Sequence, residues 1–94
     1  MGRFPFPHSQ RLPRCIYPRA ANHEDVLRAF RRFRAEIVTA EGACGFLRTR
    51  RPDTPDGVAN STVSEGIAYG MIIAVMMDDQ PLFDGLLGYA RRWF

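Results

Sequence analysis

The 94-residue sequence predicts an all-α protein of about three helices, and three patterns support this fold class. Apolar residues recur at helical spacing between residues 23 and 40 and again between residues 80 and 93. Between these stretches, residues 63–77 are apolar almost throughout, which is typical of a buried core helix. We therefore expect helices near residues 23–40, 63–77 and 80–93, and no sheet of three or more strands.

Residues 1–21 are expected to form an extended, Pro-rich arm ahead of the helical unit, which comprises residues 22–94. Proline removes a backbone hydrogen-bond donor and restricts the residue before it, so regular structure is not expected in this arm. The arm contains arginines but no continuous apolar stretch, and it therefore lacks the pattern of a secretory signal peptide. Its prolines are Pro5, Pro7, Pro13 and Pro18.

The first helix is predicted to begin after Asn22, a residue suited to the N-cap, and to end before Gly42. Glu24 and Asp25 lie in its first turn, where the helix dipole favours negative charge. Its apolar stripe consists of residues four, three and four positions apart, which are Val26, Phe30, Phe33 and Ile37. Residues 45–50 that follow are either a short extended segment or a loop, and residues 52–60 are rich in turn formers.

The second helix is predicted to be buried on every side after its first turn, because it lacks a polar face. Gly66 and Gly70 each cost about 1 kcal/mol relative to Ala inside a helix, which indicates close packing against another segment. Asp78 or Asp79 should cap the third helix, with Pro81 in its first turn. The buried stripe of the third helix is predicted to be Leu82, Leu86, Tyr89 and Trp93.

Composition and motif spacing exclude several kinds of partner. The net charge is +3, but the arginines lie in stretches that also contain acidic residues, and no RNA-binding motif accompanies them, which argues against nucleic acid. His8 and His23 form no ligand pair, so we expect neither a metal site nor a cofactor. No apolar run is long enough to span a bilayer as a helix. Cys15 and Cys44 form either one disulfide or two buried thiols.

Glu65 is the candidate catalytic residue, because it lies where a polar loop passes into the apolar second helix. Partial desolvation favours the protonated acid at such a position, whereas a helix N-terminus favours the carboxylate. The alternative role is structural. Thr62 and Glu65 have the spacing of a capping box, in which each side chain bonds to the backbone amide of the other residue.

The sequence around Glu65 resembles the signature of glycoside hydrolase family 8, the bacterial cellulase, xylanase and chitosanase family. The core of that signature is Ser-Glu-Gly-x-x-Tyr-Gly followed by an apolar helix, here residues 64–70. The short acidic turn and the helix opening in Phe-Asp at Phe83 and Asp84 also fit. The resemblance is strong over residues 60–94 and weaker over 23–50, while residues 1–22 match nothing that we can name.

The resemblance implies that the chain is the N-terminal portion of an (α/α)6 barrel, apparently truncated at Phe94. It implies endo-type hydrolysis of β-1,4-linked glycans of the cellulose or xylan class with inversion, and Glu65 as the general acid. The family's general base is an Asp far downstream. Asp78, Asp79 and Asp84 are poor substitutes for it, because they belong at the far end of the second helix. Asp53 and Asp56 lie on the preceding loop, from which they could reach the cleft, but neither is favoured as the base. Which glycan is bound depends on residues outside this chain.

Three further expectations follow from this resemblance. The 94-residue chain alone should be inactive, because it supplies the acid but not the base. The second helix should be covered by the remainder of the barrel or by self-association. A polysaccharide or oligosaccharide substrate implies a secreted, extracellular or periplasmic enzyme, although the chain shows no signal peptide.

Tyr69 is the candidate substrate-binding residue, because it lies one turn after Glu65 on the same helical face. Its hydroxyl could orient Glu65 or contact a sugar, but the residue pattern alone favours a core aromatic. Trp93 is likewise expected in the core rather than as a sugar platform. The alternative function is a small α-helical interaction module or inactive fragment, in which Glu65 only caps a helix and the second helix docks onto a partner.

Overall fold

The computed structural model describes residues 13–16 and 23–94, and it confirms the all-α prediction. Within these residues the only sheet is a two-stranded antiparallel ladder, in which Val38 pairs with Thr49 and Thr39 with Arg48. The predicted Asn22 cap and most of the predicted arm lie outside the described residues. In chain order the elements are α1 (His23–Glu36), β1 (Val38–Thr39), β2 (Arg48–Thr49), α2 (Ser64–Met76) and α3 (Gln80–Trp93).

Helix α1 ends at Glu36, so the predicted end near Ala40 is wrong. The β-branched residues that follow are suited to a pleated strand, and they pair with β2 instead of extending the helix. Arg50 stabilises the bend between α1 and β1 through hydrogen bonds from its backbone amide and from its side chain. Its amide donates to the carbonyl of Ile37 at 2.9 Å, and its Nε donates to the carbonyl of Glu36 at 3.0 Å.

The core lies between α2 and α3 and contains Ile67, Ala74, Leu82 and Leu86. Phe30 and Phe33 of the α1 stripe pack against this cluster and are half-buried. The predicted close packing at the helix glycines is confirmed. A Cβ on Gly70 would lie 2.8 Å from Leu86 Cδ1, so the missing side chain lets α3 approach α2.

The turn between α2 and α3 is held by Asp79, one of the two aspartates predicted to cap α3. Its Oδ1 accepts from the backbone amide of Leu82 at 3.0 Å and caps α3. Its Oδ2 accepts from Arg34 Nη1 at 2.9 Å, which ties α1 to the same turn. The predicted stripe of α3 is only partly correct. Leu82 and Leu86 are fully buried, but Trp93 is 53% exposed, so its assignment to the core is wrong.

The outer face of α2 is exposed, so the predicted burial of this helix on every side is wrong for these three helices. Ile72 is 55% exposed and Val75 is 59% exposed, and Met76 lies beside them. Helices α1 and α3 therefore leave this face of α2 uncovered. Of the helices in the described residues, none combines the length and apolar character that a bilayer crossing requires.

Both cysteines are exposed free thiols. The interpretation of Cys15 and Cys44 as buried thiols is therefore wrong, and the structure does not join them in a disulfide. Among residues 13–16 and 23–94, no group of three or more His, Cys, Asp or Glu side chains is arranged to hold a metal ion.

Candidate active site at the start of helix α2

Glu65 lies in the first turn of α2, and its side chain faces solvent. In the part of the chain that the structure describes, its carboxylate forms no hydrogen bond and no ion pair. On the helical surface it shares a face with Tyr69 and Ile72, which follow at four and seven positions. The carboxylate therefore stands at the N-terminal end of the exposed apolar face of α2.

The capping-box interpretation of Glu65 is wrong. The N-cap residue of α2 is Val63, with φ −119° and ψ 153°, and no side chain caps the helix there. Thr62 is not available as a cap because its hydroxyl is used elsewhere. It donates to the carbonyl of Thr49 at 2.7 Å and accepts from Arg48 Nη1 at 2.9 Å. Glu65 thus has no structural partner in the region where the capping box was expected.

A buried arginine organises the segment that leads into α2. Arg48 is 7% exposed, and its Nε donates to the carbonyl of Glu41 at 2.6 Å. Its Nη1 donates to the carbonyl of Asn60 at 2.8 Å, and its Nη2 donates to Asn60 Oδ1 at 3.0 Å. Asn60 Nδ2 in turn donates to Glu41 Oε1 at 3.2 Å. One guanidinium thereby joins β2, the turn after β1 and the segment before α2.

Asn60 adopts a backbone conformation that is uncommon for a residue with a side chain. Its φ is +63°, in the left-handed region that Asn tolerates better than most residues. Its amide donates to the carbonyl of Arg51 at 3.0 Å, and the amide of Arg51 donates to the carbonyl of Ser61 at 2.8 Å. These bonds close the turn-rich loop and direct the chain back toward α2.

Thr49 of β2 packs against α2, and this close packing requires glycine at both positions 66 and 70 of the helix. A Cβ on Gly66 would lie 2.7 Å from Thr49 Oγ1, and one on Gly70 would lie 3.2 Å from Thr49 Cγ2. Thr49 is buried at this contact. The two glycines therefore set how closely the first turns of α2 approach the Arg48 network.

Tyr69 is 65% exposed, so its assignment to the core is wrong. It borders a mainly apolar groove of about 210 Å³ between α1, β2 and α2. Glu65 does not line this groove, although it lies one turn before Tyr69. The other lining residues are Phe33, Ile37, Thr49, Arg50, Arg51, Pro52, Ser61, Val63 and Gly66.

The carboxylates at the far end of α2 are too distant from Glu65 to act as its catalytic partner. Asp78 and Asp79 follow the opposite end of α2, about 20 Å away at 1.5 Å per residue. Asp53 and Asp56 are exposed on the loop before α2. The candidate site is built around the solvent-facing carboxylate of Glu65, with the Arg48 network behind it.

Sequence reasoning did not single out Arg48, which the structure buries behind the candidate site. Alternate residues of a strand point to opposite faces, so a strand pattern does not predict that Arg48 and Thr49 are both buried. In this two-residue strand both are buried. The sequence signal for a buried Arg48 was its place in an extended segment, together with Asn60 and Thr62 just before the helix. Many sequences have such a spacing without a buried arginine, so the signal is not specific.

The fold and the site together define a class of protein: an all-α unit with an unpaired glutamate, among the described residues, at the start of a core helix. The chain belongs to glycosyl hydrolase family 8, since the model of that family matches residues 4–94. The match reaches well into the first 22 residues, where the resemblance had found nothing to name. The expectation that residues 1–22 match no family is therefore wrong for residues 4–22.

Three relatives are similar to this chain. Endoglucanase 2 of Ruminiclostridium josui is 32% identical over 95% of this chain. Endoglucanase C of Ruminiclostridium cellulolyticum is 30% identical over 95% of it, and endoglucanase A of Acetivibrio thermocellus is 38% identical over 66%. The chain spans 20% of the length of each of the first two relatives and 12% of the third. No solved structure matches the chain significantly.

Proposed function

We propose that this chain is the N-terminal part of an inverting endo-acting glycoside hydrolase that cleaves β-1,4-linked glycans of the cellulose or xylan class. Family membership and the names of the relatives, all endoglucanases, support this proposal. Residues 22–94 contribute three helices of the (α/α)6 barrel. Since a polymeric glycan is too large to enter a cell readily, the enzyme acts in the periplasm or outside the cell.

The observation that carries the proposal is the Glu65 carboxyl in the first turn of α2. Cleavage of a glycosidic bond requires a carboxylic acid that protonates the departing oxygen, and this acid must reach substrate. Glu65 is exposed, and no described group holds its carboxyl in a structural bond. It therefore acts as the general acid of the complete enzyme.

The inverting mechanism also requires a base that activates water on the other side of the sugar ring, about 6.5–9.5 Å from the acid. Asp78 and Asp79 are too far along α2, and the base lies in the part of the enzyme beyond these 94 residues. The isolated chain is consequently inactive. Tyr69, exposed one turn after Glu65, contacts the sugar or orients the acid.

Glu65→Gln tests this assignment in a complete enzyme that contains this segment. The amide keeps the size of the side chain but cannot donate the proton. We expect turnover of a natural β-1,4-glycan to fall at least about 10²–10⁴-fold, with the melting temperature unchanged. Retention of a tenth of the original turnover would show that Glu65 is not the acid.

A leaving-group comparison supplies the control. Aryl glycosides with an activated phenol depart with little protonation, so Glu65→Gln should impair them far less than the natural glycan. A variant that loses activity because it is misfolded would impair both substrates equally. Equal loss on both substrates, at an unchanged melting temperature, would also contradict the role of proton donor.

A further inference from the structure

Arg48 is buried, and among the described residues no carboxylate pairs with its positive charge. Its partners are carbonyl groups, a hydroxyl and an amide oxygen, on three separate segments of the chain. A buried guanidinium costs desolvation free energy, and a well-packed apolar side chain often stabilises a fold as well or better. The network therefore fixes the geometry of the segments that it joins, which include the segment leading into α2.

The segment that this network holds is the one that carries Glu65. Thr62 bonds to both Arg48 and the Thr49 carbonyl, and only Val63 and Ser64 separate it from Glu65. Val63 provides no side-chain cap, so the start of α2 is not defined by the usual local device. The position and direction of its first turn depend on Thr62 and Asn60, which Arg48 holds.

We infer that Arg48 is a positioning residue for the acid–base chemistry at Glu65, an inference that rests on the proposed function. Arg48 sets where the first turn of α2 begins, and Thr49 against Gly66 sets how the turn is seated. The Glu65 carboxyl itself has no described bond that could orient it. Its place relative to a glycosidic oxygen therefore comes from the backbone that Arg48 holds.

The geometry explains why an arginine is required. The guanidinium is a rigid planar group with five N–H donors, and here it serves Glu41, Asn60 and Thr62 at the same time. A lysine ammonium has three donors at one point and cannot span these acceptors. A methionine fills similar volume but donates nothing.

The first test measures turnover of Arg48→Met and Arg48→Lys in a complete enzyme containing this segment. We expect both to lower kcat on a natural β-1,4-glycan about 10- to 100-fold with KM little changed, because a small displacement of a catalytic group has effects of that size. Activated aryl glycosides should lose much less. Recovery of full activity by Arg48→Lys would show that charge matters rather than geometry, and would overturn the inference.

A double-mutant cycle with Glu65→Gln separates the two proposals. If Arg48 acts through Glu65, adding Arg48→Met to Glu65→Gln causes little further loss on the natural glycan. If the two losses multiply, Arg48 does not act through the acid and the inference fails, although the proposed function stands. If Glu65→Gln alone retains turnover, the proposed function fails instead.

Two further variants guard against a purely structural explanation. Leu82→Ala opens the core at the far end of α2, and it should lower stability without changing the leaving-group dependence. Should Arg48→Met not fold, Thr62→Val provides the milder test, because it keeps the side-chain shape and removes only the bonds to Arg48 and Thr49. Thr62→Val should show the same non-additivity with Glu65→Gln, and multiplicative losses would again refute the inference.

Discussion

Substitution of Gly70 by Ala places two effects of known size in opposition. In an open helix the change would stabilise the protein by about 1 kcal/mol, because Ala is the better helix former. Here the new Cβ would lie 2.8 Å from Leu86 Cδ1, 3.2 Å from Thr49 Cγ2 and 3.7 Å from Phe33 Cζ. The first distance is far below the 3.5–4.0 Å or so that is optimal between carbon atoms. Leu86 is fully buried and cannot move aside freely.

Overpacking of this kind costs about 1–3 kcal/mol, so we expect a net loss of about 1 kcal/mol in the free energy of unfolding. Urea denaturation of a complete enzyme carrying Gly70→Ala measures it. Leu86→Val provides the matched control, because it removes the Cδ1 atom that the new methyl group would meet. Gly70→Ala should therefore cost less in that background. A gain of about 1 kcal/mol in the original background would show that the two helices are not in close contact here.

Three further outcomes are expected. The isolated chain should self-associate or remain molten at micromolar concentration because of the apolar face of α2, and Ile72→Glu should reduce the association seen by analytical ultracentrifugation. A sharp, dispersed NMR spectrum from a stable monomer would contradict this. Asp79→Ala should lower stability by about 0.5–2 kcal/mol in a denaturation experiment, because the amide of Leu82 loses its cap; no change would contradict the capping role. Cys15 and Cys44 should both react promptly with a maleimide in the folded chain, and protection of either thiol would contradict its exposure.

Much of the candidate site could be predicted from local sequence. Glu65 stands out because a polar loop meets an apolar helix at that position, and Gly66 and Gly70 indicate a close approach because glycine is otherwise costly in a helix. The partner in that approach could not be predicted. Thr49 lies in another element, and nothing in the spacing of residues 45–50 indicates that its side chain reaches α2.

The capping box illustrates the limit of a local pattern. Thr62 and Glu65 have the required spacing, and a capping box forms when the hydroxyl has no better partner. In the folded chain Thr62 is engaged by Arg48 and by the Thr49 carbonyl, so the helix begins one residue later, after Val63. The competing partners are distant in sequence, and local spacing carries no information about them.

The sequence by itself determined the helical class, an aspartate cap at residue 78 or 79 and the apolar character of α2, because each depends on contacts within a few residues. The tertiary structure decided which faces of those helices are buried. Tyr69 and Trp93 have the spacing of core residues, yet both are exposed because no neighbouring helix among the described residues covers them. Arg48 shows the converse, since a residue type that usually lies at the surface is buried where backbone carbonyls and a hydroxyl from separate segments satisfy its donors.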